Sequence, residues 1–214
     1  MFTIAFFAIL LISAVFHEYM HGWAANELGD STPKDLGRLT LNPAAHIDPV
    51  TTLLLPAFLL WATGGQFMFA AAKPVPFNPY NLKYPKYGPA IVGVAGPLGN
   101  IALAVVFALI VRWLQLPPVI SSLAVLVVWA NVLLAVFNLV PIPPLDGSHV
   151  LISLLPPRWE RLIMFLEKYG LLIFFFFLFF LSGLLLPVIA GVAYVLLGAN
   201  GLNILFSTLA QMSF

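Results

Sequence analysis

The chain contains no cysteine and little charge, with Asp, Glu, Lys and Arg making up 8% of its 214 residues. Without thiols there is no disulfide framework and no thiolate-held metal. Nine basic residues against eight acidic ones leave a net charge of +1. That is too little for an electrostatic footprint on nucleic acid, so no nucleic-acid partner is expected. There is also no internal repeat and no polar stretch long enough for an appended soluble domain. What remains is apolar: 62% of residues are hydrophobic and the mean hydropathy is +1.03. This is the composition of a polytopic membrane protein, with the lipid bilayer as its partner. A cleaved signal peptide is not expected. The N-terminus lacks a basic n-region, and cleavage would remove the most distinctive motif in the chain.

Phe2 to Phe16 is an apolar run without Gly or Pro, and it reads as one helix continuing to about residue 28. Near its end stands His17-Glu18-Tyr19-Met20-His21. Positions i and i+4 share a helix face, so both imidazoles can reach one ion. Glu18 flanks them as a carboxylate able to activate water, the H-E-x-x-H arrangement. A polar patch hydrogen-bonded between helices would use the same residue types. Yet two His and a Glu in a lipid-length helix are costly, and that cost points to function.

Residues 30–49 are polar, proline-punctuated and loop-like. Residues 53–62 are apolar but short, with Pro56 inside, and read as re-entrant. Residues 70–80 carry Pro74, Pro76 and Pro79, which forbid helix and allow edge-strand backbone. Clear spans follow at 88–112, where Gly93, Gly96 and Gly99 offer a close-packing face, and at 119–140, which carries Asn131 and Asn138. After Pro141, Pro143 and Pro144 come Asp146, Gly147 and a short helix to about 155. Residues 156–168 read as an interfacial helix. Spans at 169–186 and 188–206 follow, divided by Pro187 and weakened near Gly198. The expected fold class is an all-α polytopic membrane protein. It has about five to six transmembrane helices, with a re-entrant helix/strand region between the first two core helices. Residues 1–155 form the catalytic membrane core; residues 156–214 form the C-terminal interfacial helix and two transmembrane helices.

A catalytic zinc keeps three protein ligands and a water. Glu27, six residues after His21, lies about 240° round the axis and faces away. Asp30, His46 and Asp48 in the next loop, and Asp146 and His149 beyond 119–140, are the remaining candidates. Asp146 has the best surroundings. The proline cluster before it forces non-helical backbone at membrane depth, tolerated only where buried in protein or facing a wet cavity. A carboxylate there needs a partner. Its competing role is to cap the helix that begins at Gly147. For His17, His21 and Asp146 to meet, the first helix and 119–140 must run in the same direction, with 88–112 returning between them. Lys34, Arg38, Lys73, Lys83, Lys86, Arg158, Arg161 and Lys168 then share the active-site side, and Arg112 lies opposite. The positive-inside rule makes the active-site side cytoplasmic.

Several stretches resemble the site-2 protease family of intramembrane zinc metalloproteases. They are Phe16 to Gly22, Ala95-Gly96-Pro97-Leu98-Gly99-Asn100, and Asn131 through Asn138 to Asp146-Gly147. Leu41-Asn42-Pro43 to His46-Ile47-Asp48-Pro49 and Lys73-Pro74-Val75-Pro76 resemble its compact prokaryotic branch. The likeness covers residues 1–155. It implies one zinc per chain on His17, His21 and Asp146, with Glu18 as general base. It also implies that Asn131 and Asn138 hold substrate backbone, and that Lys73, Pro74 and Val75 pair with an unwound transmembrane protein substrate. His46 and Asp48 are balanced between stabilising the loop and supporting a ligating His. Asn100 and His149 join them as candidates for that support. Gly99, Ser148 and Thr51 depart from the family pattern without removing a ligand. The links between spans are too short for a PDZ or CBS module. The expected function is hydrolysis of peptide bonds within or near transmembrane segments, in a prokaryotic cell membrane. The alternative is a non-proteolytic metal-binding membrane scaffold or a metal transporter. A transporter needs a polar path and paired repeats, whereas here the polar residues cluster at one depth.

Overall fold

A peptide group in lipid has no water to bond, so an apolar chain must close its hydrogen bonds within each segment, as helix. The computed structural model describes residues 1–62, 64 and 72–212. Among them the α-helices are α1 (Phe2–Glu27), α2 (Thr32–Asp35), α3 (Leu55–Ala62), α4 (Gly88–Trp113), α5 (Pro118–Asn138), α6 (Gly147–Leu154), α7 (Glu160–Phe176) and α8 (Leu186–Ala210), and there is no strand. Four helical stretches are long and apolar enough to cross a membrane: α1, α4, α5 and the 51-residue run Glu160–Ala210. The chain is an integral membrane protein. The 26 residues of α1 and of α4 rise about 39 Å, comfortably more than the roughly 30 Å of a hydrocarbon core.

The breaks lie where the local chemistry puts them. Prolines occupy the first turn of α4, α5 and α8, where a missing N–H costs nothing. Gly198 interrupts α8 at φ 70°, a left-handed conformation that suits a residue without Cβ. Two expectations are revised. The separate interfacial helix at 156–168 does not form. α7 begins at Glu160 and runs without interruption to Phe176, because no Gly-Pro break separates its polar first turns from the Leu/Phe-rich ones. Nor do residues 72–78 form a strand. Prolines at 74, 76 and 79 delete the N–H groups a ladder would use. Residues 70 and 71 of that stretch lie outside the described residues. The segment 49–62 is helical but short: Pro49–Leu54 makes a wide turn that leads into α3, and together they rise only about 20 Å.

α5 is the central helix, packed on α1, α4 and α8, and Val125, Leu126, Val128 and Val132 along it are fully buried. Ala104 and Ala108 on α4 and Ala193 on α8 are buried as well. Small side chains at these contacts let the backbones approach closely in lipid, where packing replaces the hydrophobic drive.

Where α1 leaves the bundle, Asp30 is fully buried. It accepts from Thr32 N and Oγ1 at 3.2 and 2.6 Å, from Asn78 N at 2.6 Å and from Asn81 Nδ2 at 2.9 Å. Lys83 N donates to the Leu28 carbonyl at 2.8 Å. The 78–83 turn is thereby tied to the end of α1. Burial works to raise the Asp30 pKa, but the bonds from Thr32, Asn78 and Asn81 outweigh it and hold the carboxyl below its ordinary value of 3.8. A depressed carboxylate stabilises the fold above that ordinary value and loses its effect as pH falls through the folded one. Amide exchange at Asn78, taken relative to its intrinsic rate at each pH, is therefore expected to stay slow from neutrality down to about pH 4 and to accelerate below it. In Asp30→Asn it should already be fast at neutral pH. Equal exchange in the two proteins at pH 7 would contradict the tether.

Candidate metal centre

His17, Glu18 and His21 stand on the C-terminal half of α1, and His17 and His21 are buried. The identity of each donor atom follows from an amide relay fixed at its far end by main chain. Asn131 Nδ2 donates to the Val127 carbonyl at 2.9 Å and to Ser13 Oγ at 2.9 Å. Its Oδ1 therefore faces Asn100, whose Nδ2 donates to it at 2.7 Å and to the Ser13 carbonyl at 3.3 Å. Asn100 Oδ1 is then left to accept from His17 Nδ1 at 2.5 Å. On the other ring, His21 Nδ1 donates to the Val92 carbonyl at 2.7 Å. Both Nδ1 atoms carry protons, so in the neutral rings both Nε2 atoms present lone pairs.

Those lone pairs converge. His17 Nε2 lies 3.0 Å from His21 Nε2, and Asp146 Oδ2 lies 2.9 Å from the first and 3.2 Å from the second. One proton can bridge one edge of this triangle. A single cation satisfies all three. The edges are close to the roughly 3.3 Å expected between ligands at 2.0–2.1 Å on a tetrahedral ion. The three residues form the metal-ligating cluster found among the described residues, and a His₂Asp set fits a divalent metal.

The fold supplies Asp146 by a route specific to this sequence. α5 ends at Asn138, and the chain passes Pro141, Pro143 and Pro144 before α6 starts at Gly147. Asp146 occupies the N-cap position but makes no capping bond; its carboxylate is turned to the two imidazoles instead. Gly147 is required there, because a Cβ would collide with the Leu139 carbonyl. On α4, a Cβ at Gly96 would lie 2.5 Å from His21 Nε2 and 2.7 Å from His17 Nε2. The glycines of α4 thus form a packing face, with Gly96 against the ligand pair, Gly93 against Asp146 and His149, and Gly99 against Met20 and Phe16. Pro97 deletes the N–H that would bond the Gly93 carbonyl, next to Val92, whose carbonyl orients His21.

Residues 114–182 match the sequence pattern of Peptidase family M50. Over 174 residues the chain is 33% identical to YwhC of Bacillus subtilis, covering 77% of this chain and 75% of that protein. The chain belongs to peptidase family M50. This is the site-2 protease family. Two further M50-like relatives are Rip2 of Mycolicibacterium smegmatis, 32% identical over 165 residues, and Rip2 of Mycobacterium tuberculosis H37Rv, 30% identical over 201 residues. The matches cover 76% and 90% of this chain, and 62% and 73% of those proteins. All three carry the provisional name of zinc metalloprotease. No solved structure matches the chain.

The remaining candidates sort by position. Asn100 touches His17 directly. Asn131 is fully buried and supports His17 through Asn100 instead of facing a cleft. Asn138 turns its amide back to the Leu134 carbonyl at 3.0 Å. His46 is buried in the loop with Nε2 on the Thr40 carbonyl at 2.8 Å. Asp48 accepts from Val50 N and Thr51 N, each at 2.9 Å, and so opens the 49–54 turn. His149 packs its ring edge-on against Phe77, centroids 5.8 Å apart. It also lines a cavity of about 380 Å³ with Lys86, Ile152 and Ser153. The Lys73-Pro74-Val75 backbone is engaged within the protein: Lys73 N donates to the His46 carbonyl at 2.8 Å and Val75 N to Glu18 Oε2 at 2.8 Å. Sequence reasoning missed Ser13 and the Val75–Glu18 bond. Ser13 had a signal, since it lies four residues before His17 on the same helix face. The Val75 bond joins residues 57 apart and had none.

Asn100→Ala is expected to weaken metal affinity about 10- to 100-fold by releasing His17 Nδ1, measured by competition with a chelator. Gly96→Ala should abolish tight binding, since neither imidazole can yield without leaving the triangle. Wild-type affinity in both variants would show that the ligands need no such support.

Proposed function

We propose that the chain hydrolyses peptide bonds within or near transmembrane segments of membrane proteins, with zinc held by His17, His21 and Asp146 and Glu18 as the general base. The observation that carries this reading is the convergence of three acceptor atoms within 2.9–3.2 Å, beside a carboxylate, in a helix of membrane length. Membership of a peptidase family and the zinc metalloprotease names of its relatives support it.

The chemistry zinc brings to such a donor set is a lowered pKa for a coordinated water and polarisation of a carbonyl. This chain's own residues do the rest. Asn100 and the Val92 carbonyl hold the two rings with Nε2 inward. Glu18 accepts the proton of the attacking water and passes it to the departing amide nitrogen. A transmembrane substrate hides its peptide bonds in its own helix, so it must unwind, and its freed backbone groups need partners. Asn138 is the partner we assign, because the Lys73, Pro74 and Val75 backbone groups that the sequence pattern offered are already bonded to His46, Arg38 and Glu18. We read 49–62 as re-entrant, Glu160–Ala210 as two passes, residues 1–155 as the catalytic core, and the active-site side as cytoplasmic. Eight of the nine Lys and Arg residues lie on that side in this topology.

The test is cleavage of a panel of single-span substrates by purified protein in detergent, with zinc counted. Glu18→Gln is expected to keep wild-type zinc and to lose at least about 100-fold in rate. Asp146→Asn should lose zinc as well. Undiminished cleavage by Glu18→Gln would overturn the mechanism. Zinc without cleavage by wild type would point to a scaffold.

A further inference from the structure

Arg38 is only 9% exposed, and among the described residues it forms no ion pair. A lone buried cation is costly. This one commits its two terminal amino groups to backbone carbonyls, Nη1 to Ala45 and Nη2 to Lys73 at 2.7 Å and Pro74 at 3.1 Å, while its buried Nε has no partner among the described residues. The Pro74 carbonyl belongs to the same peptide group as the Val75 N–H, which donates to Glu18 Oε2 at 2.8 Å. A single amide therefore joins a guanidinium to the carboxylate beside the metal ligands. A cation on the carbonyl end polarises that amide and makes its N–H a stronger donor.

The sequence around this amide is built to hold it still. Pro74 fixes its own φ. Lys73 and Val75 each precede a proline and are confined to extended backbone. Lys73 N–H is fastened to the His46 carbonyl. Val75 is buried and seats on Gly22, where a Cβ would come 3.2 Å from Val75 Cγ1. A carboxylate that must accept a proton in a defined direction needs a third group to orient it.

We propose that Arg38 is a positioning residue for Glu18: it holds the Pro74–Val75 peptide so that the Val75 N–H fixes one carboxylate oxygen and leaves the other for the attacking water. The inference rests on Glu18 being the base. It makes loss of the clamp a loss of turnover, with metal and substrate affinity retained.

The experiment uses purified full-length protein and the single-span substrate panel, with zinc counted in every sample. Arg38→Ala is expected to lower kcat about 10- to 100-fold, with KM within about threefold and zinc as in wild type. Arg38→Lys, a point donor without the planar fork, should recover only part of the loss. Val75→Pro, which deletes the N–H, should match Arg38→Ala, and the double variant should be no slower than the slower single one. A readout independent of proteolysis uses the absence of native cysteine. The buried thiol of Val75→Cys should react with a maleimide about tenfold faster when Arg38→Ala is added. Wild-type protein that cleaves nothing overturns the reading of Glu18 and this inference with it. Wild-type cleavage overturns the positioning role alone if Arg38→Ala stays within about twofold of it, raises only KM, or adds its loss to that of Val75→Pro. Unchanged maleimide reactivity overturns the clamp.

Discussion

Two imidazole nitrogens whose rings have placed their protons elsewhere lie 3.0 Å apart, a spacing that calls for something positive between them. This constraint organises the whole structure. Asn100 and the Val92 carbonyl hold the protons on the outer nitrogens. Asn131, Ser13 and the Val127 carbonyl hold Asn100. Asp146 closes the triangle from another helix. Without a cation, three acceptors would face one another in a low-dielectric bundle, where repulsion is strong. The fold therefore presents a site that is complete only when loaded.

The helices serve that site by different means. α1 offers both imidazoles through the 3.6-residue period alone. α4 offers mostly absence: Gly96 leaves the space the rings occupy, and Gly99 accommodates Met20 and Phe16. α5 delivers Asp146 by ending, since the proline cluster after Asn138 turns the chain back toward α1 before α6 begins. A carboxylate at an N-cap would ordinarily bond the first turn of its own helix, and here that bond is forgone in favour of the imidazoles. The region between α1 and α4, proline-rich and without a ladder among the described residues, is tied at Asp30, at His46 and at Arg38. Its backbone is thereby brought to rest against Glu18.

Much of this was legible in the residues. The H-E-x-x-H face, the spans, the proline break and the preference for Asp146 over Glu27 all follow from period, length and the cost of burying charge in lipid. Asn131 shows where that legibility stops. Its residue type indicated a polar task, yet whether it faces a substrate or a partner side chain depended on helix rotation, which the near-uniformly apolar surface of α5 does not encode. The separation of 156–168 from the following span failed for a related reason. Polarity marks where a helix meets water, but only a change in backbone geometry ends it.

The sequence by itself determined the membrane class and the two imidazoles on one helix face, because each depends on local period or on composition. It favoured Asp146 as the third ligand from its proline-flanked setting, and the meeting of that carboxylate with the two rings depends on how the helices pack. Only the tertiary structure decided which asparagine orients His17, which carbonyl orients His21, and that Arg38 and Glu18 share one peptide group. Those are contacts between residues 36 to 83 positions apart. A hydrogen bond needs direction as well as proximity, and direction is set by how the helices pack.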